Sequence, residues 1–419
     1  MKWTAPYSRR TFLSRSMAAA AAAGAGSILT GQTAASAARK IGANDRIAVG
    51  LIGSGGRGMA GILATLSAPN VDCVALCDVA AFRMEEAGAR IDKQLTGEGR
   101  KGGKIERYGH YRELLDRKDI DAVIIATPDH WHYRPFVDAL AAGKHIYQEK
   151  PMSHTFEQGL EMVAAAKKHP ELTIQIGTQR RSGKQYLKAK AYIDEGHLGR
   201  IVFVRCYDTR NWSVKGDPFV LKGLPEEQVD WKQFEEPCAT KHPYDSHRYF
   251  AWRWYWDYAG GLVTDVGVHV MDIVHLLTGA GVPKSAVCHG NVCIFDNWET
   301  PDVVEAVWDY GTHVVTFTSQ FGNGRIGTGL TLYGTKQTLE VRGNDVVVFD
   351  EGQPDKPVLE IPAEDGSHYA NWIECIRTGK TPNAPVELGH TSLLPSHLAN
   401  LAYRAGRKIT WDAAKQKAT

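Results

Sequence analysis

The sequence predicts an α/β fold in two parts: a domain with a parallel, doubly wound sheet, then a second α/β domain whose sheet is mixed or antiparallel. Strand-like and helix-like segments alternate as far as residue 182, and strand-like segments then follow one another with few helices between them. The chain has 419 residues, 43% of them hydrophobic, which is enough for two cores. We expect the domains over residues 44–182 and 183–419, after a leader over residues 1–38.

The leader has three features of an export signal, in the expected order. Residues 8–13 read Ser-Arg-Arg-Thr-Phe-Leu, a twin-arginine pattern, and an alanine-rich, weakly apolar run follows at residues 17–29. Residues 35–37 then form an A-x-A processing site. We therefore predict a twin-arginine signal peptide over residues 1–38 and a periplasmic protein that is exported already folded. An alanine-rich helix or a disordered tail is the alternative.

Composition excludes several classes of protein. The net charge of +2 gives no large positive field for nucleic acid. After residue 40 there is no apolar run of about 20 residues, so no membrane span is predicted. The seven cysteines show no metal-ligand spacing, and we interpret them as buried apolar thiols. No metal site is predicted.

An apolar run at residues 47–52 leads directly into the pattern G-x-G-x-x-G. In a strand–turn–helix unit, Gly53 permits the tight turn, Gly55 lets the backbone approach a pyrophosphate and Gly58 lets the helix pack on the strand. The amino terminus of that helix then faces the anion. The pattern predicts a Rossmann domain that binds a dinucleotide, with its contacts from Gly53, Ser54, Gly55, Gly56, Arg57 and Gly58.

A carboxylate follows the second predicted strand, residues 71–77. Asp78 lies twenty residues beyond Gly58, where it can accept hydrogen bonds from the adenosine ribose hydroxyls. Because a carboxylate repels a 2′-phosphate, NAD is favoured, and the nearby Arg83 leaves NADP as the alternative cofactor. A strand-end cap is the other interpretation of Asp78.

Further strand–helix units continue the first domain. Strands are predicted at residues 122–126, 145–148 and 173–177, and helices at residues 133–142 and 155–168. Ligands of a parallel sheet bind at the carboxyl ends of its strands. This rule places further cofactor contacts along one edge, namely Thr127, Pro128, His132, Glu149 and Lys150. Gln179 and Arg180 fall on the same edge.

The pattern changes in the second domain. After a helix near residues 184–195, seven strand-like runs follow, several with alternating apolar and polar residues. They span residues 201–207, 285–294, 303–309, 313–319, 329–333, 338–341 and 346–349.

The irregular stretch at residues 210–258 is rich in aromatic side chains. Aromatic faces beside arginine donors can stack on a sugar ring and hydrogen-bond its hydroxyls. The predicted substrate contacts are Gln179, Arg180, Arg210, Arg253, Trp254 and Tyr258. The alternative is that the aromatic side chains pack a long loop onto the sheet.

Asp265 and His269 are spaced i, i+4 in a predicted helix, so both project from one face. A carboxylate one turn from a histidine can orient it and stabilise the imidazolium, which suits a proton acceptor near neutral pH. A pair on the helix surface without a catalytic role is the alternative.

These motifs together resemble the glucose–fructose oxidoreductase / inositol dehydrogenase / MocA family over nearly all of the chain after the leader. The resemblance implies a Rossmann domain followed by an α/β domain with an open, mostly antiparallel sheet. It also implies that Lys150 polarises the reacting hydroxyl, that His269 takes its proton and that Asp265 supports His269. Pro128 and His132 would line the nicotinamide end. Many relatives carry Asn where this chain has Asp129.

The preferred hypothesis is an exported NAD-dependent oxidoreductase that acts on a secondary hydroxyl of a sugar or glycoside, with C3 as the expected carbon. Free NAD is not expected outside the cytoplasm, so the cofactor must stay bound and be reoxidised in place by a second carbonyl substrate. One alternative is an NAD-dependent glycoside hydrolase with no net redox change. Another is a sugar-binding protein without catalysis. The family resemblance also implies a homo-oligomer through the open sheet face.

Overall fold

Two sheets and the helices packed on them make up the described part of the chain. The computed structural model describes residues 41–42, 45–214, 216–219 and 223–419, and the predicted signal peptide lies outside them. Within these residues no helix is both long and apolar enough to cross a membrane. No group of metal-ligating side chains occurs among them either. Six of the seven cysteines are buried and all are free, but Cys293 is exposed, so for that residue the prediction of a buried thiol is wrong.

The first sheet has six parallel strands in the order β3-β2-β1-β4-β5-β6, which confirms the predicted Rossmann topology. Its central strands are continuous apolar runs buried on both faces, as expected when helices cover each side. The strands are β1 (Ile47–Ile52), β2 (Val71–Cys77), β3 (Glu106–Tyr108), β4 (Ala122–Ile125), β5 (His145–Gln148) and β6 (Ile174–Ile176). The helices are α1 (Gly56–Leu66), α2 (Ala81–Gly97), α3 (Tyr111–Leu115), α4 (Tyr133–Ala141) and α5 (Phe156–Ala166).

The strand order reverses between β1 and β4, and this reversal opens a crevice at the carboxyl ends of the strands. The turn into α1 lies there, as does a short 3₁₀ helix, Asp129–Trp131, that follows β4. A second 3₁₀ helix, Gln179–Ser182, follows β6. The structure therefore brings these segments together at the carboxyl-terminal edge of the sheet, as the sequence predicted.

The second sheet has ten strands and is antiparallel except for the pair β7 and β10, as the family resemblance implied. Its order is β14-β13-β12-β11-β7-β10-β9-β8-β15-β16. Burial alternates along β9 and β10, so one face packs against helices and the other is open. The strands are β7 (Ile201–Thr209), β8 (Ser285–Asn291), β9 (Val303–Asp309), β10 (Val314–Gln320), β11 (Thr328–Gly334), β12 (Gln337–Arg342), β13 (Asp345–Asp350), β14 (Pro357–Ile361), β15 (Ile409–Asp412) and β16 (Lys417–Ala418).

The helices of the second part pack on the second sheet, and some of them also pack against the first part. They are α6 (Lys184–Asp194), α7 (Trp231–Phe234), α8 (Ser246–Phe250), α9 (Gly261–Asp265), α10 (Gly267–Thr278), α11 (His368–Thr378) and α12 (Val386–Ala405). Tyr369 and Trp372 of α11 join the apolar core formed by β1, β2 and α1. A segment far along the sequence therefore completes the core of the first sheet.

The helix predicted to carry Asp265 and His269 is broken between them. α9 ends at Asp265 and α10 begins at Gly267, and Val266 between them has φ −104° and ψ −45°. The amide of His269 bonds the carbonyl oxygen of Val266, three residues back, at 3.1 Å. The expectation of one continuous helical face is wrong, and the two side chains start from different helices.

Candidate functional site

The glycine turn has the geometry that a dinucleotide pyrophosphate requires. Gly53 has φ +90° and donates its amide to the carbonyl of Cys77 at 2.9 Å. A Cβ on Gly58 would lie 1.9 Å from the carbonyl oxygen of Gly53, so only glycine fits there. A Cβ on Gly55 or Gly56 would meet no described atom within 4 Å. These two glycines therefore face open space at the amino terminus of α1, where a phosphate can approach the backbone.

Asp78 lies at the end of β2, beside the glycine turn. Its Oδ2 accepts the amide of Ser54 at 2.8 Å and its Oδ1 accepts the amide of Ala80 at 3.0 Å. Burial raises the pKa of Asp78 to about 6. The carboxylate is fixed in place, and each oxygen keeps lone pairs for a ribose hydroxyl.

The raised pKa of Asp78 predicts that NAD binding depends on pH. Below about pH 6 the carboxyl becomes protonated and loses acceptor capacity, so the Kd for NAD is expected to rise about tenfold between pH 7 and pH 5. In Asp78→Asn the group cannot titrate. NAD should therefore bind more weakly, with a higher Kd that does not change over that pH range. Fluorescence titration of the nucleotide-free protein measures both; equal pH dependence in the two proteins would contradict the assignment.

Two cavities of about 440 and 800 Å³ run along the crevice from Asp78. One wall is the Rossmann edge, including Gly53 and Pro128, which line both cavities. The opposite wall comes from the aromatic stretch of the second part. Its side chains are Phe219, Gln233, Phe234, Tyr249, Phe250, Trp252 and Arg253. Residues 223–258 form what we call the cover segment.

The predicted cofactor residues Arg57 and Glu149 bind each other. Arg57 Nε donates to Glu149 Oε1 at 2.7 Å, and its Nη2 donates to Gln179 Oε1. Tyr369 of α11 also donates to Glu149 Oε1, at 3.1 Å. Burial alone would lower the pKa of Arg57, but Glu149, through its charge and its hydrogen bond, together with Tyr369 and Tyr147 outweighs burial and raises that pKa. This network braces the glycine turn, and Arg57 still lines the larger cavity.

His132 does not line the crevice. Its side chain is 1% exposed, with Nδ1 at 2.6 Å from the carbonyl oxygen of Pro151 and Nε2 at 2.8 Å from that of Thr127. Burial lowers the pKa of His132 to about 4. The predicted cofactor contact is wrong for this side chain, because it ties the turn after β4 to the turn after β5. Thr127 and Pro128 do line the smaller cavity.

Lys150, Asp265 and Arg253 form one charged cluster. Lys150 Nζ donates to Asp265 Oδ1 at 2.9 Å and to its carbonyl oxygen at 2.7 Å. Arg253 Nε donates to the same Oδ1 at 3.3 Å and lines the larger cavity. Burial by itself would raise the pKa of Asp265, but the two cations outweigh it and hold that pKa well below its usual range.

The charges of Lys150 and Asp265 in this cluster act on His269. Its Nδ1 is buried and has no hydrogen-bond partner among the described residues. Burial, followed by the charges of Lys150 and Arg180, holds the pKa of His269 well below its usual value, so the imidazole is neutral. No hydrogen bond joins Asp265 to His269 in the described part of the chain. The expected support is therefore electrostatic, since the carboxylate is bound by Lys150 and Arg253 instead.

The predicted substrate contacts divide into two groups. Arg253 and Gln179 belong to the site through their bonds to Asp265 and Arg57, and the charge of Arg180 acts on His269. Arg210 instead pairs with Asp208 at 2.8 Å, with its guanidinium over the rings of Trp212 and Phe321.

Two predicted contacts, Trp254 and Tyr258, are wrong, because both side chains are 0% exposed. Trp254 stacks on Trp298 at 4.0 Å and donates to Asp217, and Tyr258 donates to Glu235 at 2.5 Å. For these residues the alternative holds: they pack the long loop.

Some site residues were not found from the sequence. Phe219, Tyr249, Phe250 and Trp252 belong to the aromatic stretch that was assigned to the substrate, yet they face the dinucleotide crevice. Tyr369 gave no signal, because it contacts Glu149 from a position 220 residues away.

Comparison with known proteins agrees with this geometry. The model of an oxidoreductase family with an NAD-binding Rossmann fold, Gfo/Idh/MocA, matches residues 47–178, and that of the family's C-terminal domain matches residues 234–340. The two matches together span more than half of the chain. They confirm the predicted NAD-binding domain.

Curated relatives match part of the chain. Levoglucosan dehydrogenase of Pseudarthrobacter phenanthrenivorans is 30% identical over 240 residues, 57% of this chain and 53% of its own length. A glycosyl hydrolase family 109 protein of Saccharopolyspora erythraea is 30% identical over 208 residues, 47% of this chain and 45% of its own length. The chain thus spans about half the length of these relatives.

A solved levoglucosan dehydrogenase, in complex with NADH and levoglucosan, shares the fold. It superposes with a TM-score of 0.68 at 20% identity, covering 87% of this chain and 99% of the other. Sequence motifs, sheet order and both family matches lead to one conclusion: the chain belongs to the Gfo/Idh/MocA family of NAD-binding oxidoreductases.

Proposed function

We propose that the protein is an exported, NAD-dependent oxidoreductase that oxidises a secondary hydroxyl of a sugar or glycoside, at C3. One observation carries this proposal: Arg253 lines the dinucleotide cavity and also binds the carboxylate that holds Lys150. The charged cluster is thereby placed next to the cofactor crevice. The levoglucosan dehydrogenase relative supports a sugar as the substrate class.

The site residues fit the two demands of alcohol oxidation. When bound, NAD supplies the acceptor for the hydride that leaves the carbinol carbon. In this proposal the ammonium of Lys150 binds the substrate hydroxyl and favours the developing alkoxide. The neutral imidazole of His269 is in the protonation state that accepts the hydroxyl proton. Asp265 holds Lys150 in place through two hydrogen bonds.

We further propose that the cofactor is not exchanged between turnovers. On this proposal the predicted twin-arginine signal directs the protein to the periplasm, where free NAD is not expected. Turnover then needs a second carbonyl substrate that takes up the hydride. In that second half-reaction the imidazolium of His269 returns its proton to the new alkoxide. The net result is oxidation of one hydroxyl and reduction of one carbonyl compound.

The cover segment supports a retained cofactor, because hydrogen bonds fix it to both sides of the crevice. On one side the amide of Asp230 donates to the carbonyl of Val79 at 2.8 Å. On the other side Trp131 Nε1 and His130 Nε2 both lie 2.8 Å from the carbonyl oxygen of Phe234. The adenosine end of a bound dinucleotide would therefore leave only after these contacts open.

Removing one of these contacts should speed cofactor release. Trp131→Phe deletes the indole donor to Phe234, and the loss of one hydrogen bond, about 1 kcal/mol, predicts roughly fivefold faster NAD dissociation. Trp256→Phe is a matched control, because its indole bonds Glu299 and does not line either crevice cavity. Stopped-flow displacement of bound NADH measures both rates. Equal rates in the two variants would contradict retention by the cover segment.

A redox-neutral glycoside hydrolase is the second candidate, favoured by the match to the glycosyl hydrolase family 109 protein. A sugar-binding protein without catalysis is the third, and the arrangement of Lys150, Asp265 and His269 disfavours it. The resemblance to the family also supports a homo-oligomer, which we include in the proposal.

A single experiment separates the three functions. The purified protein with its bound nucleotide is incubated with an aryl glycoside and a carbonyl acceptor, and the products are identified by mass spectrometry. A keto-glycoside is the result expected from the oxidoreductase. Free aglycone without a net keto sugar would overturn it in favour of the hydrolase. No bound nucleotide and no turnover would overturn both enzymatic functions.

A further inference from the structure

Asp129 is a buried carboxyl without an obvious structural role. It begins the 3₁₀ helix after β4 and is 2% exposed. Its Oδ1 is buried and has no hydrogen-bond partner among the described residues. A charged carboxylate in such a place would be costly unless it were paired. Asp265, by contrast, has two cationic partners, Lys150 and Arg253, within hydrogen-bond distance.

The charged groups that act on Asp129 come from the proposed catalytic cluster. They are Asp265, Lys150 and Arg253. The two histidines beside it in the sequence are directed elsewhere, His130 to the carbonyl of Phe234 and His132 to those of Pro151 and Thr127. Asp129 is thus a second carboxyl on which the charge of Lys150 acts, but the ammonium is hydrogen-bonded to Asp265.

Burial and the negative charge of Asp265 both raise the pKa of Asp129, and the cations Lys150 and Arg253 do not compensate for them. With Asp129 neutral, the cluster has two cations and one carboxylate, which leaves one net positive charge beside the neutral His269. An alkoxide forming at this point is stabilised by that charge. An ionised Asp129 would cancel it and compete with Asp265 for Lys150.

We propose that Asp129 is a positioning residue that acts as a neutral carboxylic acid, so that Lys150 keeps Asp265 as its single anionic partner. This inference rests on the proposed function, because it concerns the same site.

Asp129→Asn tests this proposal through the pH profile of the protein with its bound NAD. Asn has nearly the same shape and is always neutral, so its rate at neutral pH should stay within about threefold of wild type. The wild-type rate should fall at alkaline pH as Asp129 ionises, and the variant should lack that fall. Identical alkaline profiles, or a variant that folds and binds NAD but has lost activity at neutral pH, would overturn the proposal.

Infrared difference spectroscopy gives a readout that does not need turnover. At pH 7 the wild-type protein should show the carbonyl stretch of a protonated carboxylic acid that is missing from Asp129→Asn. Asp119→Asn is the control, because its partner Arg117 lowers the pKa of Asp119 and this carboxyl is already ionised. Absence of the Asp129 band overturns the inference, whether or not a keto sugar forms.

Wild type alone supplies a further check if Asp129→Asn does not fold. Its carboxylic acid band and its rate should then decline with the same midpoint as the pH rises, and different midpoints overturn the inference. A band that behaves as expected in a protein that makes no keto sugar would leave the role of Asp129 as a neutral acid intact. That result would overturn the proposed function instead.

Discussion

Lys150→Ala is expected to lower kcat by about 10²–10³-fold, the usual cost of removing one preorganised donor at a developing oxyanion. The ammonium is the only group bound to both the carboxylate and the carbonyl oxygen of Asp265 in the described part of the chain. Without it, Asp265 keeps only the longer bond from Arg253. The glycine turn and Asp78 are untouched, so NAD should stay bound.

Single-turnover formation of NADH, together with the nucleotide content of the purified variant, checks this expectation. Lys188→Ala serves as the control, because that lysine is 57% exposed and pairs with Glu364 on the surface. Loss of bound NAD in Lys150→Ala, in parallel with loss of turnover, would instead assign Lys150 to cofactor binding.

Gly58→Ala is expected to abolish NAD binding and to destabilise the fold. The new Cβ would lie 1.9 Å from the carbonyl oxygen of Gly53, which belongs to the turn itself and cannot rotate away as a side chain could. Overpacking of this kind costs about 1–3 kcal/mol or more. Since Gly53 must shift, the backbone that faces the pyrophosphate also moves. We expect a lower Tm and no nucleotide in the purified protein.

The matched control for this change is Gly97→Ala. Gly97 also lies in a helix, and a Cβ there would meet no described atom within 4 Å. Differential scanning calorimetry and nucleotide analysis compare the two variants. A Gly58→Ala protein with the nucleotide content and Tm of Gly97→Ala would show that the turn tolerates a side chain.

The first sheet could be predicted from the sequence because each of its signals is local. The apolar run of β1, the glycines after it and the carboxylate after β2 follow one another within about thirty residues. The same rule, that ligands bind at the carboxyl ends of parallel strands, grouped Glu149 with the dinucleotide turn, and the structure joins Glu149 to Arg57 of that turn.

Contacts between distant segments could not be predicted in this way. Trp254 and Tyr258 have the residue types of a sugar platform and also those of a core, and only packing decides between the two. The i, i+4 spacing of Asp265 and His269 does not indicate that the helix is interrupted at Val266. The partners of Glu149 include Tyr369 from α11, which no local pattern links to it.

The position of α11 sets the order in which the protein can mature. Tyr369 and Trp372 complete the core under the dinucleotide turn, and Tyr369 also bonds Glu149. These residues leave the ribosome near the end of synthesis, whereas the glycine turn emerges early. The dinucleotide-binding site is therefore complete only after most of the chain has been translated. Cofactor loading is thus expected to be a late step, after α11 has packed beneath the glycine turn.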